Sequence, residues 1–131
     1  MRISGTLIAA SLLLAIAAPC AIADTAAALK ALDPDNDGTV DLAEAQAGAK
    51  AKFAKLDPDK DGTLDAKELT GILDAAALKA ADPDSDGTLD EKEYAAVVEA
   101  KFKAADPDGD GTVDAKELGS PAGQELLKLV D

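Results

Sequence analysis

LDPDKDGTLDAKE, residues 56–68, places five carboxylates, one proline and one glycine in thirteen positions. The pattern recurs as LDPDNDGTVDLAE from Leu32, ADPDSDGTLDEKE from Ala81 and ADPDGDGTVDAKE from Ala105. The aspartates that open the four copies, Asp33, Asp57, Asp82 and Asp106, are 24, 25 and 24 residues apart. A repeat of fixed period is one structural unit used several times. Four solvated acidic turns would not need a Glu six residues after the Gly in every copy.

Each copy has the form D-P-D-x-D-G-T-[VL]-D-x-x-E, which contains D-x-[DN]-x-[DN]-G-x5-E, the metal-loop pattern of the EF-hand. In that loop, positions 1, 3 and 5 offer carboxylate oxygens to one hard cation. Position 7 offers a backbone carbonyl, position 12 a bidentate Glu, and Gly at position 6 makes the sharp turn. The expected ligands of the first loop are Asp33, Asp35, Asp37, Thr39 and Glu44; of the second, Asp57, Asp59, Asp61, Thr63 and Glu68. Those of the third are Asp82, Asp84, Asp86, Thr88 and Glu93, and of the fourth Asp106, Asp108, Asp110, Thr112 and Glu117. Val40, Leu64, Leu89 and Val113 at position 8 are expected to pair between loops as short strands with their side chains inward.

Only Ala45–Leu56, Leu69–Ala81 and Tyr94–Ala105 separate the loops, and these segments, rich in Ala, Lys and Leu, read as helices. Each is about 18–20 Å long, too short to give every loop its own pair of helices. Each inter-loop helix must leave one loop and enter the next. The fold class expected is therefore all-α: a compact three-helix bundle carrying four EF-hand loops at its two ends. Phe53, Leu56, Leu69, Ile72, Leu73, Leu78, Tyr94, Val97, Val98 and Phe102 are the core candidates. After a break at Gly119-Ser120-Pro121, a last amphipathic turn or two from Gln124 is expected to pack on the bundle.

Two features depart from an ordinary calcium loop. Proline at position 2 (Pro34, Pro58, Pro83, Pro107) fixes its own φ and steers the preceding Asp out of the helical region. It should stop the incoming helix and leave the unfolded loop fewer states to lose. Position 9 is Asp in every copy: Asp41, Asp65, Asp90 and Asp114. In many calcium loops this position acts through a water; here its carboxylate joins the candidate ligands. The five acids at positions 1, 3, 5, 9 and 12 of each loop then sum to −3 with a divalent ion and −2 with a trivalent one. Close carboxylates repel, so the higher charge relieves more. Hard, all-oxygen, high-coordination sites suit calcium and rare-earth(III) ions, and suit magnesium badly.

Loop spacing, the D-P-D starts and Asp at position 9, together with a signal-like N-terminal segment, resemble the lanmodulin family of periplasmic lanthanide-binding proteins from methylotrophic bacteria. The resemblance covers residues 24–131. It implies a three-helix bundle that folds on binding up to four lanthanide(III) ions, with calcium a weaker competitor. It also implies a cell that uses lanthanide-dependent, PQQ-containing alcohol dehydrogenases. In that family the fourth loop can start with Asn and bind weakly. Asp106 stands there in this chain, while Gly109 is expected to loosen the loop and make site four the weakest.

The first 23 residues, MRISGTLIAASLLLAIAAPCAIA, have one cation (Arg2), an apolar run from Leu7 to Ala18 and Ala21-Ile22-Ala23 before Asp24. That is the order of a cleaved secretory signal peptide, and the apolar run is shorter than the ~20 residues of a membrane crossing. Cys20 suggests a lipoprotein, but Pro19 occupies a place where a small residue is expected. The expected domains are thus a signal at 1–23 and a metal-binding domain at 24–131, exported to the periplasm. Removing Arg2 leaves 12 Lys against 26 acids, a net charge of −14, which argues against nucleic acid and anionic membrane as partners. The only Cys would leave with the signal, so no disulfide holds the mature chain. Phe53, Phe102 and Tyr94 are the only aromatics. A small, Ala-rich core opposed by self-repulsion makes a loosely folded metal-free chain the expectation.

With no His, no mature Cys and no Ser in a nucleophile setting, the chain is not expected to be an enzyme. The alternative is an exported EF-hand calcium buffer or sensor. A sensor would present a Met-rich groove, and the only Met is Met1. Metal ions are the expected partners, the protein partner is unknown, and the state is monomer or metal-dependent dimer.

Overall fold

A computed structural model describes residues 20–131, with side chains from Asp24 onward. The signal-peptide expectation lies outside the described residues, apart from the backbone of residues 20–23. The chain runs α1 (Cys20–Leu32), β1 (Thr39–Asp41), α2 (Leu42–Leu56), β2 (Thr63–Leu64), α3 (Ala75–Ala81), β3 (Leu89–Asp90), α4 (Glu91–Ala105), β4 (Thr112–Asp114), α5 (Ala115–Leu118) and α6 (Pro121–Val130). It is all-α, with two-residue and three-residue strands confined to the loops. Among the described residues no helix is long and apolar enough to cross a membrane.

Every helix that enters a loop ends one residue before the first Asp, as Pro at position 2 dictates. Asp57, Asp82 and Asp106 have left the helical region, at φ −105 to −109° and ψ 78 to 85°. The N–H groups of Asp57 and Asp106 still close the last helical turn, donating to the carbonyls of Phe53 and Phe102. Three outgoing helices begin just as sharply, α5 among them with Asp114 as its N-cap. Asp41 and Asp90, at position 9, are the N-caps of α2 and α4, each reciprocated by the position-12 Glu in a capping box.

The strands pair β1 with β4 and β2 with β3, both antiparallel. Loop one therefore faces loop four, and loop two faces loop three. Helices α2 and α4, each 15 residues or about 22 Å long, hold the two loop pairs at opposite ends. Val40, Leu64, Leu89 and Val113 are wholly buried, as position 8 requires.

The helical core is α2, α4 and α6, packed mutually. This corrects the composition of the bundle expected from sequence. The segment Leu69–Ala81 is not one helix. After loop two, residues 66–73 form successive turns, with Gly71 at φ 83°. A helix restarts only at Asp74, whose side chain accepts from the Ala77 N–H at 2.7 Å. The third core helix is instead α6, longer than expected: Ser120 caps it and Pro121 takes its first turn, where a missing N–H costs nothing. Of the core candidates, Phe53, Leu69, Leu78, Tyr94, Val98 and Phe102 are buried, and Leu56, Ile72, Leu73 and Val97 pack partly buried against them. Leu118, Leu126, Leu129 and Val130 complete the core from the C-terminal end. Phe53 and Tyr94 meet edge to face with centroids 5.7 Å apart, joining α2 to α4.

Gly48 lies mid-helix in α2, where glycine ordinarily costs about 0.5–1 kcal/mol relative to Ala. A Cβ there would come within 2.6 Å of a Leu32 methyl and 2.7 Å of the Val130 carbonyl oxygen. The bare backbone lets α1 and α6 close on α2. Gly48→Ala should therefore destabilise the metal-loaded protein by about 1–3 kcal/mol, read by urea unfolding. An open surface would give the opposite sign, because Ala favours helix.

Candidate metal centres

In each loop the position-1 Asp is the hub. Asp33 accepts from the N–H of Asp37 at 3.1 Å and of Gly38 at 2.9 Å. Asp57 and Asp82 repeat this, with 3.2 Å to position 5 and 3.1 and 2.8 Å to the glycine. These three carboxylates are buried, at 5 to 7 % exposure. The position-5 Asp folds onto position 7: Asp37 accepts from the Thr39 N–H at 2.8 Å and from its Oγ1 at 2.7 Å. Loops two, three and four do the same. Backbone N–H groups thus pre-aim the carboxylates before any cation neutralises them.

One oxygen of each of Asp33, Asp35 and Glu44 lies within 4.8 Å of the others. Asp82, Asp84 and Glu93 form the same cluster, as do Asp106, Asp108 and Glu117. Loop two instead gathers Asp57, Asp59 and Asp61. Glu68, its expected closing ligand, is outside that group, in the segment where turns replace a helix. Position 9 has a second use. Asp41 Oδ1 accepts from the Glu44 N–H at 2.8 Å while Glu44 Oε2 accepts from the Asp41 N–H at 2.8 Å. Asp65, Asp90 and Asp114 make the equivalent exchange with Glu68, Glu93 and Glu117, at 2.8 to 3.0 Å. Thr39, Thr63 and Thr112 lie in the short strands, and Thr88 immediately precedes β3. All donors are hard oxygens, and the set fits a large hard cation.

Sequence reasoning missed position 4. Asn36, Lys60 and Ser85 have φ of 58, 58 and 59°, and Gly109 has φ 70°. Position 4 is left-handed in every loop, a conformation that disfavours L side chains and suits glycine. Gly109 therefore removes strain from loop four as well as freeing its unfolded chain. Loop four also differs in its bonds: the Gly109 N–H donates to Asp106 Oδ1 at 2.8 Å, and Asp106 is more exposed than its counterparts.

A hydrogen bond to Asp33 raises the pKa of Asp35, and Asp57 and Asp82 do the same to Asp59 and Asp84. Burial pulls Asp33 upward, but hydrogen bonds from the Gly38 N–H, with Asp35 and from the Asp37 N–H outweigh it, and its pKa falls. The Gly87 N–H leads the lowering of Asp82. Burial raises Glu44, and the charges of Asp35, Asp41 and Asp33 add to it.

Ligand carboxylates must be ionised to hold a metal. Groups with raised pKa hold their protons to higher pH, so metal affinity should weaken as pH falls through the carboxylate range. Adding lanthanum in weak buffer at about pH 4–5 should release protons, with much less release at neutral pH. A pH-stat titration reads this directly. Separately, Gly109→Ala should weaken loop four by about 1 kcal/mol, whereas Ser85→Gly should not weaken loop three; calorimetry of the two variants against the parent makes the comparison.

A family model described as EF hand matches residues 50–73 and 100–120, which include the second and fourth loops. Among curated proteins, none matches the chain. The two matched segments and the four acidic clusters of related geometry support an EF-hand metal-binding protein.

Proposed function

We propose that this chain is an exported, periplasmic protein that binds lanthanide(III) ions in its EF-hand loops, folds around them, and serves in lanthanide uptake, buffering or trafficking. The observation that carries the reading is the set of five carboxylates at ligand positions in each of four loops, three of which open on a buried Asp held by backbone N–H groups. Such a loop keeps a net negative charge even with a trivalent ion, so the third positive charge is used rather than surplus. The resemblance to lanmodulins supports the same choice, and the N-terminal signal pattern supports export. In this reading the ion is cargo rather than a catalytic cofactor.

The second reading is an exported calcium buffer or sensor, and one feature favours it. Between α3 and α4, Leu73, Ala77, Ala81, Val97 and Ala100 line a shallow apolar groove, the kind of surface a sensor offers to a target. Calcium and lanthanides share ligand chemistry, so the charge at position 9 separates the readings. Replacing Asp41, Asp65, Asp90 and Asp114 together by Asn keeps an oxygen that can accept the helix-capping N–H and removes four charges. The dissociation constant for lanthanum should rise more than that for calcium, by about tenfold or more per ion. Equal losses for the two ions would remove the electrostatic basis of the proposal.

A further inference from the structure

Helix α6 starts one turn after Glu117, the residue that closes loop four, and is fixed to it. The Ser120 N–H donates to the Glu117 carbonyl at 3.0 Å, and Ser120 Oγ donates to the same oxygen at 2.5 Å. The same Oγ accepts from the Gly123 N–H at 3.1 Å. Gly123 carries no side chain because a Cβ would fall 2.1 Å from the Glu117 carbonyl oxygen and 2.4 Å from the Leu118 Cα. The Gln124 amide reaches the Leu118 carbonyl at 2.9 Å. The first turn of α6 is thus clamped to the backbone of a metal-loop residue.

The far end of α6 is tied to another loop. The Tyr94 hydroxyl donates to the Leu129 carbonyl at 2.7 Å, and Tyr94, 1 % exposed, directly follows Glu93, which closes loop three. A buried hydroxyl without its acceptor is costly, so a displacement of α6 is passed to Tyr94 more readily than it breaks the bond. Loop four is paired with loop one and loop three with loop two. Helix α6 therefore spans the two loop pairs, alongside the covalent route through α4.

We propose that α6 is a strut that couples filling of loop four to filling of loop three, with Ser120 and Tyr94 as positioning residues for Glu117 and Glu93. When Glu117 moves to close on an ion, its carbonyl carries Ser120 and the first turn of α6, and Leu129 carries Tyr94. Coupling of this kind runs through a packed, hydrogen-bonded element that both sites bias. The inference rests on the reading of the four loops as metal sites.

The test is a double-substitution cycle read loop by loop. Lanthanum, and in parallel calcium, is titrated into the protein while 1H–15N spectra follow Gly38, Gly62, Gly87 and Gly111, one amide per loop. Glu117→Gln weakens loop four. With the strut intact, it should raise the half-filling concentration of loop three, reported by Gly87, by about threefold or more. In the Tyr94→Phe background, which keeps the ring and removes only the hydroxyl, the same substitution should leave loop three nearly unmoved. A merely structural role of Tyr94 would instead shift all four loops together. Equal effects of Glu117→Gln on Gly87 in both backgrounds would overturn the strut, leaving α4 as the only route. If Tyr94→Phe does not fold, Ser120→Ala in the same cycle decides by the same two outcomes. A parent protein in which neither ion moves Gly87 or Gly111 overturns the metal-loop reading itself, and the strut with it.

Discussion

The structure depends on one reciprocal exchange: the position-9 Asp accepts the N–H of the position-12 Glu, and that Glu accepts the N–H of the Asp. In loops one and three it opens a 15-residue helix. In loops one, three and four it also leaves the Glu beside the position-1 and position-3 carboxylates. Position 1 is shared in the same way, since it caps the end of the incoming helix and anchors the loop. Where loops one and three open α2 and α4, no residue is spent on a linker, which helps loops only 24 or 25 residues apart fit one small bundle. The cost falls on charge. The residues that start and stop the helices are the acids that repel one another, and backbone N–H groups offset only part of that repulsion.

In loop two, half of this arrangement is missing. Asp65 and Glu68 make the same exchange, yet Gly71 at φ 83° is part of a turn segment and no helix begins until Asp74. Glu68 is then outside the acidic cluster of its own loop, which is made by positions 1, 3 and 5. The helix after a loop and the closing Glu are one feature. The bundle takes α6 in place of the missing helix, and two glycines permit the close fit: Gly48 where α2 meets α1 and α6, and Gly123 where α6 meets α5.

Local chemistry made much of this legible from sequence. Pro at position 2 told where incoming helices stop, the loop register told that the apolar position 8 pairs between loops and points inward, and the acidic spacing picked out carboxylates that the structure gathers into clusters. What escaped depends on contacts distant in sequence. A Leu-rich stretch from Leu69 reads as helix until Gly71 is seen to turn. The tail reads as a turn or two until its apolar residues are seen to be the third wall of the core. The pairing of loop one with loop four has no local signal. The left-handed backbone at position 4 could have been suspected from Asn36 and Gly109, the two residue types that tolerate it best, but Lys60 and Ser85 hide the pattern.

An Ala-rich core and a net charge of −13 over the whole chain leave the folded state with little margin by themselves. Binding a cation to the folded loops and not to the unfolded chain adds its binding free energy to folding. The central claim is that metal, and a trivalent metal above all, completes this fold. Far-UV circular dichroism of metal-free residues 24–131, titrated with lanthanum over a fixed millimolar calcium background, tests it most directly. The account predicts that helix appears at free lanthanum far below the free calcium needed for the same change. Full folding by micromolar calcium, with lanthanum adding little, would contradict it.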